Sequence, residues 1–524
     1  MGGYAMKLNY KRTILVGFAF FLICAFWQAY DNIIPLILTN KFGMNQTWSG
    51  VIMALDNILA LFMLPLFGAI SDKCRSKHGR RTPFIAVGTL VAVVMLLTLS
   101  FVDMAQLKNI KSVSTIDDPK ALEAIYDVEA NNKLMTPDGE TFVLSAQFSK
   151  TQFSAIRSQV EVDGKTVTNS DYTNYVVPAR QAYAWQVTAD SPGTLIFFVV
   201  ILLMILISMA VFRSPAVALM PDVTVKPLRS KANAVINLMG SAGGILVLAL
   251  GMVFATSAIK NSLMSYMGYF GVVAAIMLIA LVVFLLTVRE TEWAKDMHRQ
   301  SVEYGIEEDD ERDENAGDRK LSPDEVKSLI FILLSIVLWF FGYNAITSKY
   351  SVYASNILHK DYNLTLIIAQ AAAIVAYLPV GFVASKVGRK KTILAGVVML
   401  AAAFGVGCFM KDTSPTAVMN AMFALAGIGW ATINVNSFPM VVELASGGNV
   451  GKYTGYYYTA SMAAQVATPM LSGFLMDKLG MRVLFPYATF FVALAFVTMY
   501  FVQHGDSKPE AKKGLEALED MDAD

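Results

Sequence analysis

Charge is scarce in this chain: Asp, Glu, Lys and Arg make up only 16% of its 524 residues, against about 25% in an ordinary soluble protein. With 55% hydrophobic residues and a mean hydropathy of +0.50, it reads as a polytopic membrane protein. Cysteine is scarcer still. Cys24 and Cys408 fall in apolar segments and Cys74 in a basic loop, so none suits an extracellular disulfide. The four histidines, His78, His298, His359 and His504, all lie in loops or near span ends. No metal-ligand spacing and no nucleophile–base pair is visible in the spans, which predicts no enzyme, no metal and no cofactor. A net charge of +1 leaves no basic excess for nucleic acid. The N-terminus is basic (Lys7, Lys11, Arg12) and leads into an apolar run of about 26 residues. A signal-peptide core has roughly 7–15, so the run reads as a first span that stays.

A membrane span needs about 20 apolar residues. Twelve stretches qualify, at about 12–39, 47–70, 82–103, 194–221, 231–257, 264–289, 326–350, 364–386, 391–410, 416–444, 452–478 and 482–503. Positive charge crowds the connections after the second (Lys73 to Arg81), fourth (Lys226, Arg229, Lys231) and eighth (Lys386, Arg389, Lys390, Lys391). Short basic loops stay cytoplasmic, which predicts that both termini lie inside. Two polar stretches interrupt the pattern. Residues 104–192 hold the turn signals Pro137-Asp138-Gly139 and Asp163-Gly164, the second flanked by Val160, Val162 and Val167. That spacing predicts a β-hairpin in an extracytoplasmic insert. Residues 290–325, with the acidic run Glu307 to Glu311, predict a flexible cytoplasmic linker, and the tail 505–524 is similar.

The chain also repeats itself. Phe26-Trp27 and Tyr30-Asp31-Asn32-Ile33 match Leu338-Trp339 and Tyr343-Asn344-Ala345-Ile346 at an offset of 312 to 313, and Gly79-Arg80-Arg81 matches Gly388-Arg389-Lys390 at 309. Asp222 matches Glu443 at only 221, a shortfall of 91 that is close to the 89 residues of the insert. One insertion into one of two homologous halves explains all three offsets. Two parallel six-helix halves with a site near the midplane is a transporter architecture. The predicted domains are therefore 1–289 (N-terminal bundle, including the 104–192 insert), 290–325 (linker), 326–504 (C-terminal bundle) and 505–524 (tail).

Ionisable groups inside spans are costly and mark functional positions by default. Asp31 lies eight residues before Thr39 and Asp56 nine after Thr47, about 12 and 13 Å from the outer ends of their helices. Carboxylates facing one another at that depth repel, which makes the pair a candidate proton acceptor. Arg213 stands nine residues before Asp222, about 13 Å inside helix 4, where it can balance either acid or donate to substrate oxygens. Trp27, Trp339 and Trp430 each have a polar partner one helical turn on, in Asp31, Tyr343 and Asn434. Aromatic faces beside polar groups suit a sugar. Asn344 is the repeat counterpart of Asp31, and Asn434 stands nine before Glu443 as Arg213 stands nine before Asp222.

The loop Gly68 to Ile85, GAISDKCRSKHGRRTPFI, resembles the cytoplasmic helix 2–3 signature of the major facilitator superfamily. Its long spacing between Asp72 and Gly79 looks most like the sucrose-transporter and glycoside–pentoside–hexuronide symporter branch. Pro215 to Asp222, followed by Arg229 to Ala234, looks like the helix 4–5 signature of sucrose transporters. Val217 stands where those transporters carry a sugar-binding Arg, and Arg213 stands where melibiose-type symporters carry a sugar-binding acid. The resemblance implies an all-α membrane protein of the major facilitator fold, with twelve transmembrane helices in two pseudo-symmetric bundles and a small extracytoplasmic insert between helices 3 and 4. It implies import of a di- or oligosaccharide, such as an α-glucoside, by symport with H⁺ or another cation. Asp31 and Asp56 are then the cation-coupling residues, and Trp27, Arg213, Trp339, Asn344, Trp430 and Asn434 the substrate-binding ones. Asp72, Arg80 and Arg81 form a cytoplasmic gate. In the second half Ser385 replaces the signature's Asp, so the symmetrical latch should be weaker. The expected partners are the sugar, the coupling cation and the lipid of a bacterial inner membrane, with the protein a monomer. Open alternatives are a nucleoside, organic acid or efflux substrate, or a membrane sensor that uses the insert.

Overall fold

Hydrocarbon offers no partner to a backbone N–H or C=O, so a chain this apolar satisfies its own backbone within helices. The computed structural model describes residues 7–110, 115–162, 164–225, 228–303, 321–442, 444 and 450–505. Twelve long helices dominate these residues: α1 Tyr10–Asn40, α2 Gln46–Asp72, α3 Thr82–Asn109, α4 Gly193–Val223, α5 Arg229–Val253 and α6 Met267–Thr287 in the first half. The second half contributes α7 Pro323–Tyr353, α8 Tyr362–Val387, α9 Arg389–Gly407, α10 Thr416–Val442, α11 Val450–Leu479 and α12 Leu484–Tyr500. Most ends lie within three residues of the limits expected from hydropathy; α3 runs six residues further. Among the described residues ten helices are long and apolar enough to cross a membrane. The other two are α8, whose apolar run is Tyr362–Tyr377, and α11, which is 30 residues long and interrupted by Tyr, Ser, Gln and Thr. Both pack against the opposite half, where polar side chains find partners other than lipid.

Packing follows a pseudo-two-fold pattern. Helix α1 packs on α5 and α6 as α7 packs on α11 and α12; α4 packs on α2 and α3 as α10 packs on α8 and α9; α3 meets α6 as α9 meets α12. The halves meet through α1 with α7 and through the exchanged pairs α5 with α8 and α2 with α11. On the face that bears the insert the halves are joined by polar contacts. Asp477 of α11 caps the first turn of α2, accepting from the backbone N–H groups of Gln46 and Thr47 at 2.8 Å each and from the Thr47 hydroxyl at 2.5 Å. The fully buried Lys349 of α7 donates to the Gln46 carbonyl at 2.7 Å.

The insert carries its own core, built on Leu122, Ile125, Phe142, Leu144, Phe153 and Tyr172. Both turn signals sit in antiparallel hairpins: β1 Lys133–Met135 with β2 Thr141–Val143, and β3 Gln159–Val162 with β4 Lys165–Thr168. The linker departs from expectation at its start, because Glu290–Glu303 is helical. Burial of Glu290 and Trp293 at 3% and 6% exposure anchors it to the basic-loop face, which the acidic composition concealed. The acidic run Glu307 to Glu311, Lys226, Asp163, Glu443 and the tail from Asp506 lie outside the described residues.

One buried ion pair fixes the first half near the insert. Lys41 Nζ and the Asp103 carboxylate, neither side chain exposed, lie 2.5 Å apart. Lys41 also donates to the Met264 carbonyl at 2.7 Å and Asp103 accepts from the Tyr266 N–H at 3.1 Å. Removing one partner strands a charge, at a cost of about 3–5 kcal/mol. Asp103→Asn or Lys41→Met therefore lowers the unfolding temperature of the purified protein sharply, whereas Lys41→Met with Asp103→Leu recovers most of the loss. A double variant less stable than both singles would contradict this.

Candidate functional site

Helix α1 brings Trp27, Tyr30 and Asp31 to one level. Trp27 meets Phe26 and Tyr30 edge to face, with ring centroids 5.2 and 5.3 Å apart. The Arg213 guanidinium of α4 lies 5.8 Å from the Trp27 ring centroid, close enough for a cation–π contact. Helix α2 supplies Asp56 through a break in its own regularity. Its helical hydrogen bonding slips at Ala54, between Gln46–Met53 and Leu55–Asp72, and Asp56 sits in the first turn of the second segment. Asn57 Nδ2 donates to the Asp56 carboxylate at 2.9 Å. Asp31, Asp56 and Arg213, from three different helices, interact electrostatically with one another.

In the second half the Tyr343 and Trp430 rings stack face to face, 3.6 Å between centroids and 3° apart. Asn344 follows on α7, and Asn434, one turn beyond Trp430, is 5% exposed. Trp339 belongs elsewhere. It is fully buried in the hydrophobic core of the helix bundle, so the one-turn spacing from Tyr343 does not carry it to the Tyr343–Trp430 stack. Its complete burial places it among packing side chains in this conformation. Between the halves, Gln370 Nε2 of α8 donates to Gln28 Oε1 of α1 at 2.8 Å, adjacent to Trp27.

Four buried polar atoms in these groups have no hydrogen-bond partner: Trp27 Nε1, the Tyr30 hydroxyl, Asn344 Nδ2 and Gln370 Oε1. Most buried polar atoms in proteins are paired, and an unpaired one costs about 1–3 kcal/mol. Trp27 and Tyr30 stand together on α1, and Gln370 of α8 reaches that helix through Gln28; unpaired atoms of this kind are suited to a ligand rich in hydroxyl groups.

The expected gate residues converge within the first half. Arg81, 5% exposed on its side chain, donates to Asp72, to the Ser71 hydroxyl and, at 2.7 Å, to Asp222. Arg80 engages Asp222 bidentately at 2.9 and 2.5 Å. Sequence reasoning missed Glu290. Its carboxylate accepts from the backbone N–H groups of Arg80, Arg81 and Thr82 at 2.7–3.1 Å and from the Thr82 hydroxyl at 2.7 Å. It thus supplies the N-terminus of α3 with the acceptors that helix lacks. An acid directly after the last turn of α6 was the available signal. At the matching position of the second half, Lys390 donates to the Tyr500 and Val502 carbonyls at 2.9 and 2.6 Å.

Comparison with known proteins agrees with this architecture. A family model described as Major Facilitator Superfamily matches residues 182–377 and 333–519, and one described as MFS/sugar transport protein matches 15–106. The Arabidopsis thaliana sucrose transport protein SUC4 is 36% identical over 59 residues, 11% of this chain and 12% of its own length. The mouse (Mus musculus) proton-associated sugar transporter A is 33% identical over 102 residues, 19% of this chain and 13% of its own. The matched region thus spans about an eighth of either relative. Among solved structures, the inward-open xylose transporter XylE from E. coli aligns with a TM-score of 0.56 at 14% identity, covering 98% of this chain and 99% of its own. A mutant of the nucleoside transporter NupG aligns at 0.54 and 13%, covering 94% and 100%. At such identities the likeness speaks for the fold alone. The family matches cover well over half of the sequence, and the chain belongs to the Major Facilitator Superfamily as a multi-pass membrane transporter.

Proposed function

We propose that this transporter imports a glycoside, a di- or oligosaccharide, together with a proton. The observation that carries the reading is the set of orphaned polar atoms, Trp27 Nε1, the Tyr30 hydroxyl, Asn344 Nδ2 and Gln370 Oε1, beside the faces of Trp27 and Trp430. Sugar hydroxyls satisfy the former and the C–H faces of the rings lie on the latter. Asn434 and Arg213 complete the substrate contacts. The short sequence matches to sucrose and proton-associated sugar transporters support the same class.

Coupling follows from charge balance. Two carboxylates and one guanidinium leave one uncompensated negative charge, and one proton on Asp31 or Asp56 removes it. A neutral cluster is the form that crosses the hydrocarbon level most cheaply when the halves rock. The basic loops set the cytoplasmic side, and the contacts that tie α2 to α11 lie at the opposite, insert face. A membrane potential of 100 mV contributes about 2.3 kcal/mol per proton, and 1.36 kcal/mol is about tenfold. One proton therefore sustains accumulation of roughly fifty-fold. Arg213 favours a second reading, an organic acid, whose carboxylate it would bind.

The direct test is uptake of labelled di- and oligosaccharides and organic acids into proteoliposomes under an inward proton gradient. Saccharide accumulation that an uncoupler abolishes is expected; accumulation of acids alone would replace the sugar reading. Asp31→Asn and Asp56→Asn are each expected to lose concentrative uptake while retaining sugar counterflow, and unaltered accumulation in both would rule out their coupling role. Glu290→Gln weakens charge-assisted bonds worth about 1.5–3 kcal/mol each, so it is expected to lower the unfolding temperature and the uptake rate together. Wild-type values for both would remove the cap from the account.

A further inference from the structure

The insert is tied to both halves. To the first half, which carries it, it is joined through Gln106 Nε2 to the Thr188 hydroxyl at 3.1 Å and Gln181 Nε2 to Asn40 Oδ1 at 3.2 Å. Ile259, from the α5–α6 connection, is buried in the insert's own core. These ties, and a core of its own, make the insert a rigid extension of the first half. A tight turn of the insert makes a polar contact with the second half. Thr136 N–H donates to the Glu140 carbonyl at 2.8 Å and Gly139 N–H to the Thr136 carbonyl at 2.9 Å, which presents Pro137-Asp138-Gly139 at the tip of β1–β2. Met481 N–H, in the α11–α12 connection, donates to the Pro137 carbonyl at 2.7 Å. Arg482 pairs with Asp138.

The backbones approach closely enough to restrict the residue type. Gly139 and Gly480 both have positive φ, +91° and +88°, and a Cβ on Gly480 would meet the Gly139 nitrogen at 2.5 Å. Glycine alone accepts both the conformation and the approach. The turn therefore seats on the second half in one register. It does so just beyond Asp477 and its neighbour Lys478, at the end of α11, the helix whose Asp477 caps α2 across the interface.

We propose that the insert beyond α3, in its described residues 115–162 and 164–192, forms a strap across the insert-side mouth of the transport path, whose Pro137–Gly139 turn latches onto Met481–Arg482 and must release each time that face opens. The proposal rests on the transport reading above for its cycle, but the latch is measurable without any substrate. Asp138 and Arg482 are partly exposed, at 39% and 42% of their side chains, so losing the ion pair shifts the opening equilibrium modestly, about two- to five-fold.

The test uses the full chain in proteoliposomes, with its three native cysteines replaced by alanine. A Thr47→Cys probe at the α2–α11 contact reports opening through its labelling rate with a membrane-impermeant maleimide. Asp138→Ala and Arg482→Ala are each expected to label about two- to five-fold faster, and the exchanged pair Asp138→Arg with Arg482→Asp to return toward the parent rate. Unchanged labelling in both alanine variants would overturn the latch. In a second arm, Asp138→Cys with Arg482→Cys is bridged by a short bis-maleimide. Sugar uptake at least tenfold below that of the same protein before bridging supports a latch that must open, and an undiminished rate overturns it. Should the unbridged protein move no sugar at all, the transport reading fails, and the labelling rates still decide the latch.

Discussion

A charge in hydrocarbon persists only where another charge, a dipole or water stands next to it, and this requirement organises the first half of the protein. Asp31, Asp56 and Arg213 come from α1, α2 and α4 and hold one another electrostatically. Two have further local support: Arg213 from the face of Trp27, Asp56 from the Asn57 side chain. Because the three helices must converge for these charges to be tolerated, the cluster fixes their approach at mid-depth. Next to Trp27, Gln28 accepts from Gln370 of α8 in the second half. Site and scaffold are in this sense one set of contacts.

The two faces of the membrane domain are held by different means. On the basic-loop face, Arg80, Arg81, Asp72, Asp222 and Glu290 form a network inside the first half. It joins the ends of α2, α3 and α4 to the Glu290–Glu303 helix, so these elements move as a unit. On the insert face polar contacts also run between halves: Asp477 to the start of α2, Lys349 to Gln46, and the insert turn to Met481 and Arg482. A network within one half at one face and ties between halves at the other are the kinds of contact that alternating access makes and breaks.

Much of the fold was legible because its signals are local. Apolar runs of about 20 residues, the loop charges and the internal repeat give twelve helices in two matching halves, and the Pro-Asp-Gly and Asp-Gly turns mark the hairpins. What escaped was tertiary. A helix apolar on every side carries no periodicity to tell which face meets the core, so the complete burial of Trp339 could not be read from its spacing. Lys41 with Asp103, Lys349 with Gln46, and Glu290 with Arg80 to Thr82 pair residues far apart in sequence, so no window contains both partners. The linker helix was hidden because its composition is polar, while its order comes from two residues, Glu290 and Trp293, anchored on a surface formed by other segments.

The central claim is that one proton neutralises the Asp31–Asp56–Arg213 cluster whenever a sugar crosses. It is tested most directly by adding substrate sugar to lightly buffered vesicles with no imposed gradient and following external pH. The account predicts a sugar-evoked alkalinisation of about one proton per sugar in the wild-type protein and none when both acids are amidated. Sugar entry at the wild-type rate with no movement of external pH would contradict it.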